Sequence, residues 1–169
     1  MTDIAVTVCA DAAVIAALHR ATITVAYSGY FPHSEPPTLA ELEALWATRL
    51  ADPTAVALVA RCDGSPVGSV MASADREFAE GHIAGLHVLP AVWGMGVGSS
   101  LHDAALMLLS EAGHHTAGLW VIAANNRARR MYERRGWVLR QGVEQDPYGV
   151  LEVRYQRELR LRKDYGQRT

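Results

Sequence analysis

Residues 86–100 read Leu86-His-Val-Leu-Pro-Ala-Val-Trp-Gly-Met-Gly-Val-Gly98-Ser-Ser100. A strand pattern runs into glycines, and the glycines run into a helix pattern. Glycines permit unusual φ/ψ angles and close backbone approach, and the first N–H groups of a helix have no internal acceptor. Their partial positive charge suits a phosphate or pyrophosphate. The segment is not a P-loop, because no Gly-Lys-Ser/Thr follows, and it is not the dinucleotide fingerprint, because Gly94, Gly96 and Gly98 are spaced by two and residue 99 is Ser.

Outward from this turn the chain alternates regular elements. Residues 4–9 read as a strand, and Asp11 caps a helix with Val14, Ile15 and Leu18 on one face. Residues 27–37 (YSGYFPHSEPP) read as a loop, and Thr38-Leu-Ala-Glu41 is a capping box opening a second helix through Leu42, Leu45, Trp46 and Leu50. Strands at 55–61 and 67–72 flank an Asp63-Gly64 hairpin turn. A strand follows at 82–89, then a helix at about 99–112 stopped by Gly113, a strand at 116–122, a helix at 126–135 closed by Gly136, and closing strands at 137–141 and 151–158. This mixed order predicts an α/β (α+β) sheet with helices on both faces.

A second segment, Leu119-Trp-Val-Ile-Ala-Ala-Asn125-Asn-Arg-Ala128-Arg-Arg-Met-Tyr132-Glu-Arg-Arg-Gly136-Trp137, follows one helix and one strand later. Asn125, Ala128, Arg129 and Tyr132 share one helix face by their spacing. A polar stripe holding a small residue suits a narrow ligand that needs hydrogen bonds and close approach.

Together the two segments resemble the GNAT superfamily of acetyl-CoA-dependent N-acetyltransferases. The first signature, a strand ending V-x-P followed by R/Q-x-x-G-x-G/A, is met by Val88, Pro90 and Trp93-Gly-Met-Gly96-Val-Gly98. The second, N-x-x-A-x-x-x-Y-x-x-x-G-F, is met by Asn125, Ala128, Tyr132, Gly136 and Trp137. The resemblance spans roughly residues 54–142. Trp93 stands where the family has Arg or Gln, and the non-basic Met95 lies between the first two glycines, so side-chain support for the phosphates is missing there. Arginines of the later helix are the candidates to replace it.

The resemblance implies a mixed, mostly antiparallel sheet of six to seven strands, with a splayed parallel pair at its centre and about four helices on both faces. It implies one domain over residues 1–160, with 161–169 as a tail. Acetyl-CoA would lie between the strands at 82–89 and 116–122. The backbone of Leu86, His87 and Val88 would pair with the pantetheine arm, and an N–H near Val88 would meet the thioester oxygen, stabilising a tetrahedral oxyanion. The amides of Trp93, Gly94, Met95, Gly96, Val97, Gly98 and Ser99 would hold the pyrophosphate. Asn125, Ala128 and Arg129 would line the arm, and Tyr132 would protonate the departing thiolate.

The acceptor of such a reaction is an amine, which must lose a proton before attack, since a free alkylamine has a pKa near ~10. The family often places a Glu near the start of the motif strand; here that position holds His82, with Glu80 two residues earlier. His87 has the opposite parity to His82 unless a bulge intervenes. The base is thus His82, Glu80, His87 or a water chain. Tyr27, Tyr30 and Phe31 in the loop are candidates for the acceptor pocket. Glu35, Glu41, Glu43, Asp75, Glu77 and Glu80 suggest an acidic acceptor side that attracts a cationic amine. His19, His33, His102, His114 and His115 read as surface or loop residues.

Composition sets the outer bounds. The chain has 169 residues with a net charge of -2, but residues 1–126 carry -8 and residues 127–169 carry +6. The Arg excess begins at Arg127, with Arg129 and Arg130 beside it, on the expected path of the cofactor's phosphates. The split therefore reads as anionic cofactor against cationic acceptor. Few aromatics lie among these arginines, which argues against a nucleic-acid module. Cys9 and Cys62 show no metal-ligand or disulfide spacing, so no metal is expected, and buried reduced thiols in a cytoplasmic protein are the default. The first twenty residues have neither the basic flank of a signal peptide nor the length of a membrane span. Overall the expectation is an N-acetyltransferase moving acetyl from acetyl-CoA to a small-molecule or peptide primary amine in a ternary complex, as a monomer or homodimer without membrane or nucleic-acid partners. A non-catalytic acyl-CoA-binding regulator of the same fold is the alternative, and it would have no need of Tyr132.

Overall fold

The structure, a computed structural model, describes residues 4–27, 29–30, 35–146 and 149–159, with residues 26 and 27 as backbone only. In chain order it contains β1 (Ile4–Val8), α1 (Ala12–Thr22) continuing as a π-helical turn (Ile23–Tyr27), α2 (Leu39–Leu50), β2 (Val56–Cys62), β3 (Ser65–Asp75) and β4 (Glu80–Val88). A 3-10 turn (Pro90–Val92) leads to α3 (Val97–Glu111), β5 (Thr116–Ile122), α4 (Asn126–Arg134), β6 (Val138–Gln145) and β7 (Glu152–Glu158). The expected tail at 161–169 lies outside the described residues.

The local signals act as their chemistry requires. Asp11 accepts from the N–H groups of Ala13 and Val14. At α2, Glu41 N–H donates to Thr38 Oγ1 at 3.2 Å and Thr38 N–H donates to Glu41 Oε2 at 2.7 Å. Asp63 and Gly64 both take positive φ, 48° and 82°, which matches the twist of the β2–β3 hairpin. Two boundaries differ from expectation. The loop expected from residue 27 starts later, because α1 runs on through its π turn. The β3–β4 ladder extends to Asp75 opposite Glu80, since a buried arginine described below partners both polar residues.

The seven strands form one sheet in the order β1-β2-β3-β4-β5-β7-β6, antiparallel except for the central β4–β5 pair. On one face α1 and α2 bury Ile15, Ala16, Leu18, Leu42 and Trp46 against Ala57, Val59 and Met71. On the other, Leu101, Ala105 and Leu109 of α3 and Tyr132 of α4 pack with Val70, Ile83, Leu119 and Tyr155. Cys9 and Cys62 are free and half-buried rather than fully buried. Among the described residues no helix is long and apolar enough to cross a membrane.

Candidate active site

The parallel pair is a fork. Only Gly81 with Ala117 and His82 with Gly118 are in register across β4 and β5; beyond them the strands part. Leu89 N–H donates to Val67 on β3 at 2.9 Å. Backbone polar groups alternate along a strand, so those of Val88 face the other way, towards the open side. The Val88 carbonyl accepts the Trp93 indole N–H at 2.8 Å, which leaves the Val88 N–H as a donor at the fork's edge.

A bulge decides what β4 presents to α1 and α2. Ser69 lies opposite His87 and Met71 opposite Ala84, so Gly85 and Leu86 together span the single residue Val70 of β3. Gly85 takes φ 60°. The extra residue cancels the parity difference. His82 opposite Ser73 and His87 opposite Ser69 share one face, as residues an even number apart on β3 must. There His87 stacks on His19 of α1 with ring centroids 4.1 Å apart, and the Trp46 indole N–H donates to His19 Nδ1 at 3.1 Å. His19 is thus an inward residue, not a surface one; its place opposite β4 depends on how α1 packs, which spacing alone does not reveal. A methyl group at Gly85 would overlap the Trp46 ring and force a side chain into the left-handed region. Gly85→Ala is therefore expected to lower stability by about 2–4 kcal/mol in urea denaturation; unchanged stability would contradict the bulge.

Burial first, and then the charge of Arg49, pushes His19 down to about 4. Burial and then Arg154 push His82 down to about 4, against the opposing pull of Asp75. Fully buried His87 lies well below the ordinary value. All three are neutral when folded, whereas in the unfolded chain they titrate near 6.5. The unfolded state then takes up protons first as pH falls. Stability is expected to be full above about pH 6.5 and to fall steadily towards pH 4, read from urea midpoints across that window. A flat profile would contradict the burial of these rings.

At the root of the fork lies an ionic cluster. The fully buried Arg154 of β7 donates through Nε and Nη2 to Glu80 Oε1 at 3.2 and 2.7 Å, and through Nη2 to Asp75 Oδ2 at 2.7 Å. Gln156 donates to the other Glu80 oxygen. The guanidinium lies 3.8 Å from the Phe78 ring centroid and 5.1 Å from that of Trp120. It passes over Gly118, where any Cβ would collide with Arg154 and Glu80. Asp75 Oδ1 accepts from Glu77 and Phe78 N–H, which shapes the turn into β4. Burial raises the Asp75 carboxyl, but the Arg154 hydrogen bond and the Phe78 N–H hold it below the usual carboxylate value. Asp75 Oδ2 stands 3.8 Å from His82 Nδ1. Glu80, a candidate base by sequence, has both oxygens engaged here, whereas His82 Nδ1 is buried without a hydrogen-bond partner.

At the open end, Gly94 and Gly96 take φ 82° and 85°, and no atom lies within 4 Å of where their Cβ atoms would be. Gly96 is the N-cap of α3 and offers no side-chain cap. The N–H groups of Val97, Gly98 and Ser99 therefore begin the helix without acceptors from its own backbone. Trp93 and Met95 are exposed large apolar side chains here, at 37% and 44%. An anion reaching backbone amides, with an apolar neighbour beside it, fits this turn, and a strand-like arm fits the parted edges of β4 and β5. From the β5 side, Asn125 Oδ1 caps α4 by accepting Ala128 N–H at 3.1 Å. Arg127 lies over the Trp93 ring, its guanidinium carbon 4.3 Å from the centroid.

The other expected residues have neighbours of their own. Arg129 donates to the Tyr155 hydroxyl at 3.0 Å and to the Ala123 carbonyl at 3.1 Å. It braces α4 against β7 rather than lining the arm, because its helix position points it at the core. Tyr132 is buried, with Trp137 5.9 Å and His102 6.3 Å away in edge-on and tilted contacts. His102, expected at the surface, is fully buried on α3 and accepts the Trp137 indole N–H at 2.9 Å. Half of the acidic acceptor side is compensated: Glu41 serves the α2 cap, and Asp75 and Glu80 serve Arg154. Tyr30 is half-buried in a turn, while Phe31, His33 and the Tyr27 side chain lie outside the described residues. Sequence reasoning missed Arg154, Phe78 and Trp120, which meet only through the sheet.

Similar folds are common among solved structures. Nourseothricin acetyltransferase is 26% identical, with a TM-score of 0.58 over 64% of this chain and 68% of that one. The Salmonella typhimurium protein yncA, solved with its cofactor acetyl-CoA, is 16% identical with a TM-score of 0.70 over 93% and 94%. The paia N-acetyltransferase of Thermoplasma acidophilum, in complex with coenzyme A, is 12% identical with a TM-score of 0.67 over 92% and 99%. No curated protein sequence matches the chain. The family model described as Acetyltransferase (GNAT) family matches residues 20–137, more than half the length, and the chain belongs to the GNAT family of acetyltransferases.

Proposed function

We propose that the chain transfers an acetyl group from acetyl-CoA directly to a primary amine, of a small molecule or a peptide, bound on the α1/α2 side of the fork. The observation that carries this reading is the fork itself: β4 and β5 pair at two positions, part beyond them, and leave His82 at the root and the glycine turn at the open end. Acetyl-CoA supplies the activated thioester. The backbone edge of Leu86 to Val88 binds its arm, and the amides of Gly94 and of Gly96 to Ser99 bind its pyrophosphate, those of Trp93 and Met95 being taken by the carbonyls of Pro90 and Val92. The Nδ2 of Asn125, left over from helix capping, donates to the arm, and Ala128 leaves space beside it.

Bound water relays the proton of the amine to His82, at the root of the fork, as nitrogen attacks the acetyl carbon. The depressed pKa of His82 keeps it unprotonated down to about pH 4 and also makes it a weaker base than a free imidazole. Asp75, 3.8 Å away, offsets the imidazolium that forms. The Val88 N–H donates to the acetyl oxygen as negative charge grows on it. The C–N bond forms, the C–S bond breaks, and Tyr132 returns a proton to the departing sulfur. Tyr132→Phe should accordingly slow release of a poorly stabilised thiolate without altering acetyl-CoA affinity.

The reading is tested by mixing the protein with acetyl-CoA and a panel of cationic, neutral and anionic amines, following free thiol and acetylated amine together. Amine-dependent thiol release with matching product is expected. Tight acetyl-CoA binding with no turnover on any amine would favour the regulator instead.

A further inference from the structure

The family position that carries Arg or Gln holds Trp93 here, yet the structure brings a cation to the same place from the other prong of the fork. Trp93 is fixed twice: its backbone N–H donates to Pro90 at 3.1 Å and its indole N–H to Val88 at 2.8 Å. Arg127, in the first turn of α4, lies over that ring, its guanidinium carbon 4.3 Å from the centroid. The glycine turn follows β4 and α4 follows β5, so this contact spans the open end of the fork. Arg127 is exposed, and among the described residues it has no carboxylate partner. Arg129, Arg135 and Arg154, by contrast, are held by hydrogen bonds to protein groups. A guanidinium stacked on an aromatic face keeps its charge and its in-plane N–H donors available, in a fork suited to bidentate phosphate binding.

We infer that Trp93 is a platform that positions Arg127 to bind the pyrophosphate of the acyl-CoA, replacing the missing basic side chain at position 93. This rests on the acyl-CoA reading above. The two residues act as a unit: the ring limits the rotamers of Arg127, and Arg127 supplies the charge.

Calorimetric titration with CoA and with dephospho-CoA, which lacks only the 3′-phosphate, tests the assignment on the intact chain. Arg127→Ala is expected to weaken CoA about 10- to 100-fold, and to weaken dephospho-CoA by the same factor. Trp93→Ala should lose a comparable amount, and the double variant little more than the worse single one. Unchanged melting temperature of the exposed Arg127→Ala variant separates lost binding from lost fold. Three results overturn the clamp while wild type still binds CoA: undiminished affinity of Arg127→Ala, a loss confined to CoA and absent with dephospho-CoA, or strictly additive losses in the double variant. Wild-type protein that binds neither ligand would overturn the acyl-CoA reading itself, and the clamp with it.

Discussion

His82→Gln is expected to lower kcat on the best amine by about 10²- to 10⁴-fold at pH 7, with acetyl-CoA affinity within about twofold of wild type. Glutamine keeps the approximate size and a hydrogen-bonding end but cannot accept a proton. The effect should fall on kcat because His82 sits at the root of the fork, whereas the cofactor groups lie towards its open end. Its position depends on structure remote in sequence: the Gly85 bulge aligns the β4 histidines on one face, and Asp75 stands 3.8 Å from Nδ1. The imidazole is buried and neutral, so it is ready to take the proton without first losing one of its own. If the variant retains wild-type kcat across several amines, the final acceptor of the proton is solvent rather than His82, and the base assignment is wrong.

Arg154→Met is expected to cost about 3–5 kcal/mol of stability at pH 7. Methionine fills much of the volume over Phe78 and Trp120, so the loss is electrostatic more than steric. It strands two carboxylates: Glu80, which is 2% exposed, and Asp75, which also shapes the turn into β4. Removing the carboxylate charges as well, in the triple variant with Asp75→Asn and Glu80→Gln, should recover a large part of the loss, because a buried pair replaced as a whole costs far less than one broken. Denaturant titration of both variants reads this directly. A loss below about 1 kcal/mol for Arg154→Met would mean that water reaches the cluster and screens it.

The parts legible in sequence were those with local causes. The glycines at 94 and 96 need left-handed backbone, the capping box closes within four residues, and Asn125 caps the helix it opens. The mixed sheet with helices on both faces followed from the order of elements, and its parallel centre from the family resemblance that these local features carry; the order of the strands did not. What was not legible depends on residues that meet across the sheet. Glu80 and Arg154 are 74 positions apart, so one half of a buried ion pair read as a candidate base and the other half gave no signal. His19 and His102 gave no sign of burial, because their partners, Trp46 and Trp137, come from other helices and loops. The Gly85 bulge reversed the expected facing of His87 through one inserted residue. Trp93 was readable as a departure from the family pattern, but its stacking with Arg127 required the fork.

The central claim is direct transfer within a ternary complex at this fork. Initial velocities measured over a grid of acetyl-CoA and amine concentrations, with intact-protein mass recorded after exposure to acetyl-CoA alone, test it most directly. Intersecting lines and an unmodified protein mass are predicted. Parallel lines with a protein heavier by one acetyl group would contradict it, because they would require an acetylated side chain between the two substrates.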